Sequence, residues 1–82
     1  MLPDRDGCVR VRSNIAGEVE IRAAVGQLIY SGQSLAVVEG DCELESLSVR
    51  KPSTVEEICV EDGTEVEAGT TLMVVREIEE LA

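Results

Sequence analysis

The sequence predicts an all-β fold, a flattened β-barrel or sandwich made of two repeats related by an approximate twofold axis. Three observations predict it: short runs in which apolar and polar residues alternate, glycines between those runs, and an internal repeat. At 82 residues the chain is expected to form one domain. We place the first repeat at about 9–39, a hairpin at 40–43, the second repeat at about 44–76 and an acidic C-terminal tail at 77–82.

The first strands are predicted from strict alternation. Val9 and Val11 alternate with arginines, and within residues 18–24 Val19 and Ile21 share one face while charged residues occupy the other. This period of two is typical of strands with one buried face. Helical spacing of comparable strength does not occur in the sequence, although the last residues, "REIEELA", could form a helical turn or an acidic tail.

An internal repeat predicts the rest of the fold. The stretch "VGQLIYSGQSLAVVE" begins at Val25, and the similar stretch "DGTEVEAGTTLMVVR" begins at Asp62. Glycines recur at equivalent places, as turns with a positive φ angle require. The matched positions, each 37 residues apart, are Gly26 with Gly63, Gly32 with Gly69, Leu35 with Leu72, Val37 with Val74, and Val38 with Val75. The stretch "EGDCE" between the two copies is therefore predicted to be a hairpin.

The net charge is −10, and the acidic residues are unevenly distributed. From Glu39 onward, thirteen acidic residues face only three basic ones, Arg50, Lys51 and Arg76. Such a surface repels phosphate backbones, which argues against nucleic acid as a partner and favours a basic protein. Acidic runs also occur on surfaces that serve solubility alone, so both interpretations stay open. Tyr30 is the only aromatic residue, which makes a drug-sized ligand cavity unexpected.

The three cysteines, Cys8, Cys42 and Cys59, are far apart in the sequence, and the chain has no histidine. They form neither a disulfide framework nor a zinc-site pattern, which fits a reducing compartment. No nucleophile has a base beside it, so we expect neither a catalytic residue nor enzyme activity. The N-terminus lacks an apolar signal region, and no apolar run is long enough to span a membrane. We therefore expect a cytoplasmic protein without a membrane partner.

With these glycine and leucine spacings in both halves, the sequence resembles the biotinyl/lipoyl-attachment domain family over residues 9–76. Members of that family carry a G-D-x-V-x-x-G-x-x-L-x-x-[IV]-E unit twice, and they display a modified lysine on a hairpin between the copies. The resemblance implies the barrel-sandwich hybrid fold of that family. It also implies biotin or lipoate, joined to the lysine and swinging between active sites.

The hairpin departs from the family pattern. Lipoyl domains typically read E-T-D-K-A and biotinyl domains E-A-M-K-M, whereas the aligned residues here are Glu39, Gly40, Asp41, Cys42 and Glu43. Cys42 thus falls at the position of the modified lysine, where a thiol could form only a thioester that hydrolyses and exchanges. We therefore expect no attached cofactor, although the resemblance implies biotin or lipoate.

The thiol and the amine each allow one other chemistry. Lys51, the only lysine, precedes Pro52 in a predicted strand-to-turn segment and reads as a solvated charge. A genuine carrier with a non-standard attachment site at Lys51 or Cys42 is the alternative to an unmodified domain. A reactive Cys42 is opposed by its acidic neighbours, because reactive thiols usually have electropositive surroundings.

Partner binding is predicted at the hairpin. If Leu47 and Val49 face inward, the period of two leaves Leu44 on the opposite face, exposed beside an acidic tip. A single exposed leucine is also common and needs no function. The predicted contact residues are Glu39, Asp41, Glu43 and Leu44. The resemblance implies a protein partner in a carboxylase, dehydrogenase or ligase system, and we predict a non-catalytic binding or regulatory module for acyl- or carboxyl-transfer enzymes.

Overall fold

The computed structural model describes residues 7–78 of the chain, and these residues form β-strands joined by turns. None of the described segments is a helix that could cross a membrane. The strands within this range are β1 (Cys8–Arg12), β2 (Gly17–Ile21), β3 (Leu28–Ile29), β4 (Ser34–Glu39), β5 (Leu44–Ser48), β6 (Ser53–Ile58), β7 (Glu65–Val66) and β8 (Thr71–Glu77).

The strands form two antiparallel sheets of four strands each within residues 7–78. One sheet has the order β1-β8-β6-β3 and the other the order β5-β4-β2-β7. Moving 37 positions along the chain takes β1 through β4 onto β5 through β8, and it converts the first order into the second. The predicted all-β fold with two similar repeats is therefore confirmed, in its sandwich form.

Each repeat makes a turn at the same place before its shortest strand. Gly26 and Gly63 have φ angles of 88° and 86°, in the left-handed region where a Cβ is costly. In both turns the residue after the glycine donates its N–H to the carbonyl three positions earlier, Gln27 to Ala24 and Thr64 to Glu61. Equivalent residues thus adopt equivalent conformations, which explains why the glycine spacing recurs.

The core lies between the sheets and is entirely aliphatic apart from one thioether. Leu35 and Leu72, equivalent in the two repeats, are both fully buried. Such side chains have no polar atoms to satisfy, and they exclude water by close packing. The buried apolar residues are Val19, Ile29, Leu35, Ala36, Val38, Val55, Val66, Leu72, Met73 and Val75.

One irregularity interrupts the repeat symmetry. The residue 37 positions after Val19 is Glu56, so strict symmetry would put a carboxylate in the core. The pairing of β6 with β8 shifts register between Val55 and Glu57. This bulge turns Val55 inward, where it is 1% exposed, and leaves both glutamates in solvent.

The end of the second repeat also differs slightly from the expectation. Glu77, assigned to the acidic tail, is the last residue of β8 and pairs with Ser53. Beyond it, the Ile78 N–H donates to the carbonyl of Pro52 at 2.9 Å. The rest of the predicted tail, residues 79–82, lies outside the described residues, as do residues 1–6.

Candidate functional site

The segment between the two repeats is a tight hairpin, as the sequence predicts. The last pair of the β4–β5 ladder is Glu39 with Leu44, and the Gly40 N–H closes the turn by donating to the carbonyl of Glu43 at 2.8 Å. Asp41 and Cys42 occupy the two positions between these residues, and both are exposed. Cys42 therefore lies at the tip of the hairpin with its thiol free.

The base of this hairpin is held by the backbone of a distant segment, residues 13–17. A Cβ on Gly17 would lie 2.5 Å from the carbonyl carbon of Glu39 and closer still to its oxygen. A Cβ on Gly40 would lie 2.8 Å from the carbonyl oxygen of Ala16. Glycine is required at both positions because the two backbones touch there. The hairpin is therefore fixed on the sandwich at its base.

A side-chain contact adds to this support. The backbone N–H of Asn14 donates to Glu45 Oε1 at 2.8 Å, and Asn14 Nδ2 donates to Glu45 Oε2. The carboxylate of Glu45 is thus held from two directions by one residue. Both groups are exposed, so each bond contributes less than a buried charged hydrogen bond would. The contact ties the start of β5 to the segment that also supports Gly40.

The two faces of β5 are those predicted from the alternation. Leu47 and Val49 pack against the core, whereas Leu44 points away from it and is 68% exposed. Leu44 therefore stands on the outer face of its sheet, next to the acidic tip. Glu43 lies in the turn and is exposed as well.

The structure brings further carboxylates to the predicted contact residues. Glu39 of β4 is paired with Glu18 of β2, which is in turn paired with Glu65 of β7. Glu18 and Glu65 are far from Glu39 in the sequence and were not predicted as site residues. The sequence gives no sign that Glu65 belongs to the site, because a strand of two residues is too short for its sequence to indicate which strand it pairs with. Asp41 lies near them, beside a shallow groove that also contacts Gly17.

The other two cysteines, Cys8 and Cys59, lie outside the hairpin. Cys59 is exposed, as expected, and Cys8 is half-buried in β1. Desolvation of the sulfur, and then the carboxylate of Glu57, raise the pKa of the Cys59 thiol, while Arg10 opposes that shift. Among residues 7–78 no group of three or more potential ligands is placed to hold a metal ion.

Lys51 lies far from the hairpin tip. It follows β5, whose first residue Leu44 adjoins the tip and whose last residue Ser48 pairs with Ser34 at the other end of β4. Cys42 and Lys51 are therefore separated by about the length of this strand, roughly 15 Å at the usual rise per residue. The Lys51 side chain is exposed, and its carbonyl accepts a hydrogen bond from Ser53 Oγ at 2.9 Å.

Comparisons with known proteins agree with this architecture. The family model described as "Biotin-requiring enzyme", which covers biotin and lipoyl domains, matches residues 10–75. A solved single-chain, multi-domain long-chain acyl-CoA carboxylase superimposes on 98% of this chain with a TM-score of 0.82 and 22% identity. The urea carboxylase of Kluyveromyces lactis superimposes on 92% with a TM-score of 0.74 and 25% identity. A search of curated protein sequences finds no match.

The match to the carboxylases is confined to a small part of them. This chain corresponds to 8% of the acyl-CoA carboxylase and 6% of the urea carboxylase. Its fold is therefore that of one module within much larger chains. The family match spans most of the sequence and coincides with both repeats and the hairpin between them. The chain belongs to the biotin/lipoyl domain family.

Proposed function

We propose that this chain is an unmodified biotin/lipoyl-type module that binds a protein component of a carboxyl- or acyl-transfer enzyme through its hairpin end. It takes the place of a carrier domain in the assembly without transporting a group. The observation that carries the proposal is the residue at the hairpin tip. Cys42 occupies that tip, and the one lysine of the sequence lies near the opposite end of β5.

The residues at the hairpin do not fit a biotinyl or lipoyl group. Attachment through an amide needs an amine, and residues 39–44 contain none. A thioester on Cys42 would be exposed to water and to other thiols, because the side chain lies in solvent. The thiol stem is also several atoms shorter than that of a lysine. We therefore derive no group-transfer step for this chain.

Lys51 fits attachment no better, although it is exposed. It stands beside Pro52, whose carbonyl accepts the N–H of Ile78, so this segment is tied to the end of β8 rather than projecting from the sandwich. An enzyme that recognises the tip of a hairpin would find no equivalent shape there. A carrier with its attachment point at Lys51 is the alternative that a mass measurement on the protein decides.

The kind of partner is inferred from the solved structures. Both structures described above are carboxylases, which supports a carboxylase-type assembly over a dehydrogenase or a ligase. The hairpin end presents Glu39, Asp41, Glu43 and Leu44 on a rigid support, as a recognition surface requires. Binding there would regulate the enzyme by competing with the modified carrier.

The experiment is a competition assay. A carboxylase from the organism that naturally makes this chain is assayed with its own biotinylated carrier, while the purified chain is added in increasing amounts. We expect turnover to fall with a rise in the apparent KM for the carrier and no change in kcat. A Leu28→Ser variant, altered on the other sheet, should inhibit equally, whereas a Leu44→Ser variant should inhibit less. Unchanged turnover at saturating concentration would refute a carboxylase partner.

A further inference from the structure

One outer sheet surface of the domain is strongly acidic and carries two apolar side chains, Val37 and Leu44, toward one edge. We call it the acidic sheet face, and it belongs to the sheet β5-β4-β2-β7. One row of paired residues crosses all four strands: Leu44 pairs with Glu39, Glu39 with Glu18, and Glu18 with Glu65. Three carboxylates therefore stand side by side, each on a neighbouring strand.

This row opposes folding stability. Side chains directly opposite each other in a sheet have Cβ atoms about 5 Å apart, and like charges at that distance repel. Two other exposed glutamates do have a cation beside them, since Glu20 pairs with Arg22 and Glu56 with Arg76, both at 3.2 Å. Within residues 7–78, none of the three carboxylates of the row forms an ion pair with a lysine or arginine. A cost of this kind on a stable scaffold is typical of surfaces kept for binding.

Beside the row lies a shallow groove of about 290 Å³. Val37 and the exposed Leu44 provide apolar lining, and four residues provide carboxylates around it: Glu18, Glu20, Glu39 and Asp62. Of these, Glu20 already has a cation partner, Arg22. Asp62 is held in place because its Oδ1 accepts the N–H of Ile21 at 2.7 Å. The groove thus combines an apolar contact area with several carboxylates, one of which is held in place by a backbone hydrogen bond.

We propose that this groove binds a basic segment of the partner protein, in which lysine or arginine residues flank one apolar side chain. The apolar side chain packs on Val37 and Leu44, and the flanking cations neutralise the carboxylates of Glu18, Glu39 and Asp62. Binding removes the repulsion within the row, so affinity and stability are linked. The inference rests on the proposed function for the enzyme system, but it concerns a surface beyond the hairpin tip.

A synthetic peptide that alternates arginine with leucine is the probe, and its binding to the full chain is measured by calorimetry at low salt. The matched variants are Glu18→Gln/Glu39→Gln on the acidic sheet face and Glu57→Gln/Glu77→Gln away from it, which change the net charge equally. We expect the first variant to raise Kd by about tenfold, and the second to raise it much less. Circular dichroism is used to check that both variants are folded.

The apolar contact is tested separately. A peptide with serine in place of leucine should bind more weakly to the wild-type chain, and Leu44→Ser should abolish this difference while Leu28→Ser preserves it. Equal weakening by both glutamine variants would show attraction to the overall charge and overturn the proposal. Self-association of the chain that is lost in Glu18→Gln/Glu39→Gln would overturn it in favour of a second copy as occupant. Peptide binding with no effect in the carboxylase competition assay would retain the groove and refute the enzyme assignment.

Discussion

Replacing Gly17 by alanine perturbs the contact that fixes the hairpin on the sandwich. The new Cβ would lie 2.5 Å from the carbonyl carbon of Glu39 and 2.8 Å from the nitrogen of Gly40. The first distance is about 1 Å shorter than a normal contact between carbon atoms. Both neighbours are backbone atoms, so no side-chain rotation relieves the overlap, and β4 has to move away from the start of β2.

The expected loss of folding stability follows from the cost of overpacking, which is about 1–3 kcal/mol and occasionally more. The upper part of that range applies because the obstacle is backbone, and the lower entropy of the unfolded alanine chain offsets about 0.5 kcal/mol. We expect the free energy of unfolding to fall by about 2.5 kcal/mol. For a domain of this size that corresponds to a decrease in Tm of about 10–20 °C.

Urea unfolding followed by far-UV circular dichroism measures this loss, with Gly26→Ala as the comparison. A Cβ on Gly26 would meet no heavy atom within 4 Å, but the φ angle of 88° strains an alanine. That strain costs about 1–2 kcal/mol. Gly17→Ala should therefore be the more destabilised variant, and hydrogen exchange at the Gly40 amide should be faster in it. A Gly17→Ala variant as stable as Gly26→Ala would refute the view that backbone contact holds the hairpin.

Three further predictions concern the same surface and the free thiols. Maleimide should label Cys42 before Cys59, because the raised pKa of Cys59 lowers its thiolate fraction; the labelling rate of Cys59, followed by peptide mass spectrometry, should still be rising at alkaline pH. Asn14→Ala removes one of the two hydrogen bonds to Glu45 and should cost about 1 kcal/mol in urea unfolding, with faster amide exchange confined to the hairpin. Glu18→Gln should raise the free energy of unfolding by about 0.5 kcal/mol at low salt, and this gain should shrink at high salt; a loss of stability would contradict repulsion in the row.

Most of the architecture could be predicted because it depends on local patterns. The alternation around Val19 and the turn glycines Gly26 and Gly63 specify strands and turns independently of tertiary contacts, and the repeat relates the halves. The bulge in β6 could not be predicted in the same way. Either Val55 or Ile58 could set the register of that strand, and only pairing with β8 decides that two consecutive residues, Glu56 and Glu57, face solvent.

Only the features of the site that depend on residues close together in the sequence could be predicted. The hairpin, the exposed tip at Cys42 and the outward face of Leu44 follow from the repeat and from alternation. The contact of Asn14 with Glu45 joins residues 31 positions apart, and the row that reaches Glu65 needs the pairing of a two-residue strand. Such contacts arise from packing between segments, which no local pattern encodes.

The prediction that the chain carries no prosthetic group is tested most directly by the intact mass of the protein produced together with biotin and lipoate ligases. We predict the unmodified mass for the wild-type chain. The Cys42→Lys variant, which restores an amine at the hairpin tip without altering its support, should gain one biotinyl or lipoyl group and so show that the ligases were active. A biotinyl or lipoyl mass on the wild-type chain, at Cys42 or at Lys51, would contradict the proposal of an unmodified module.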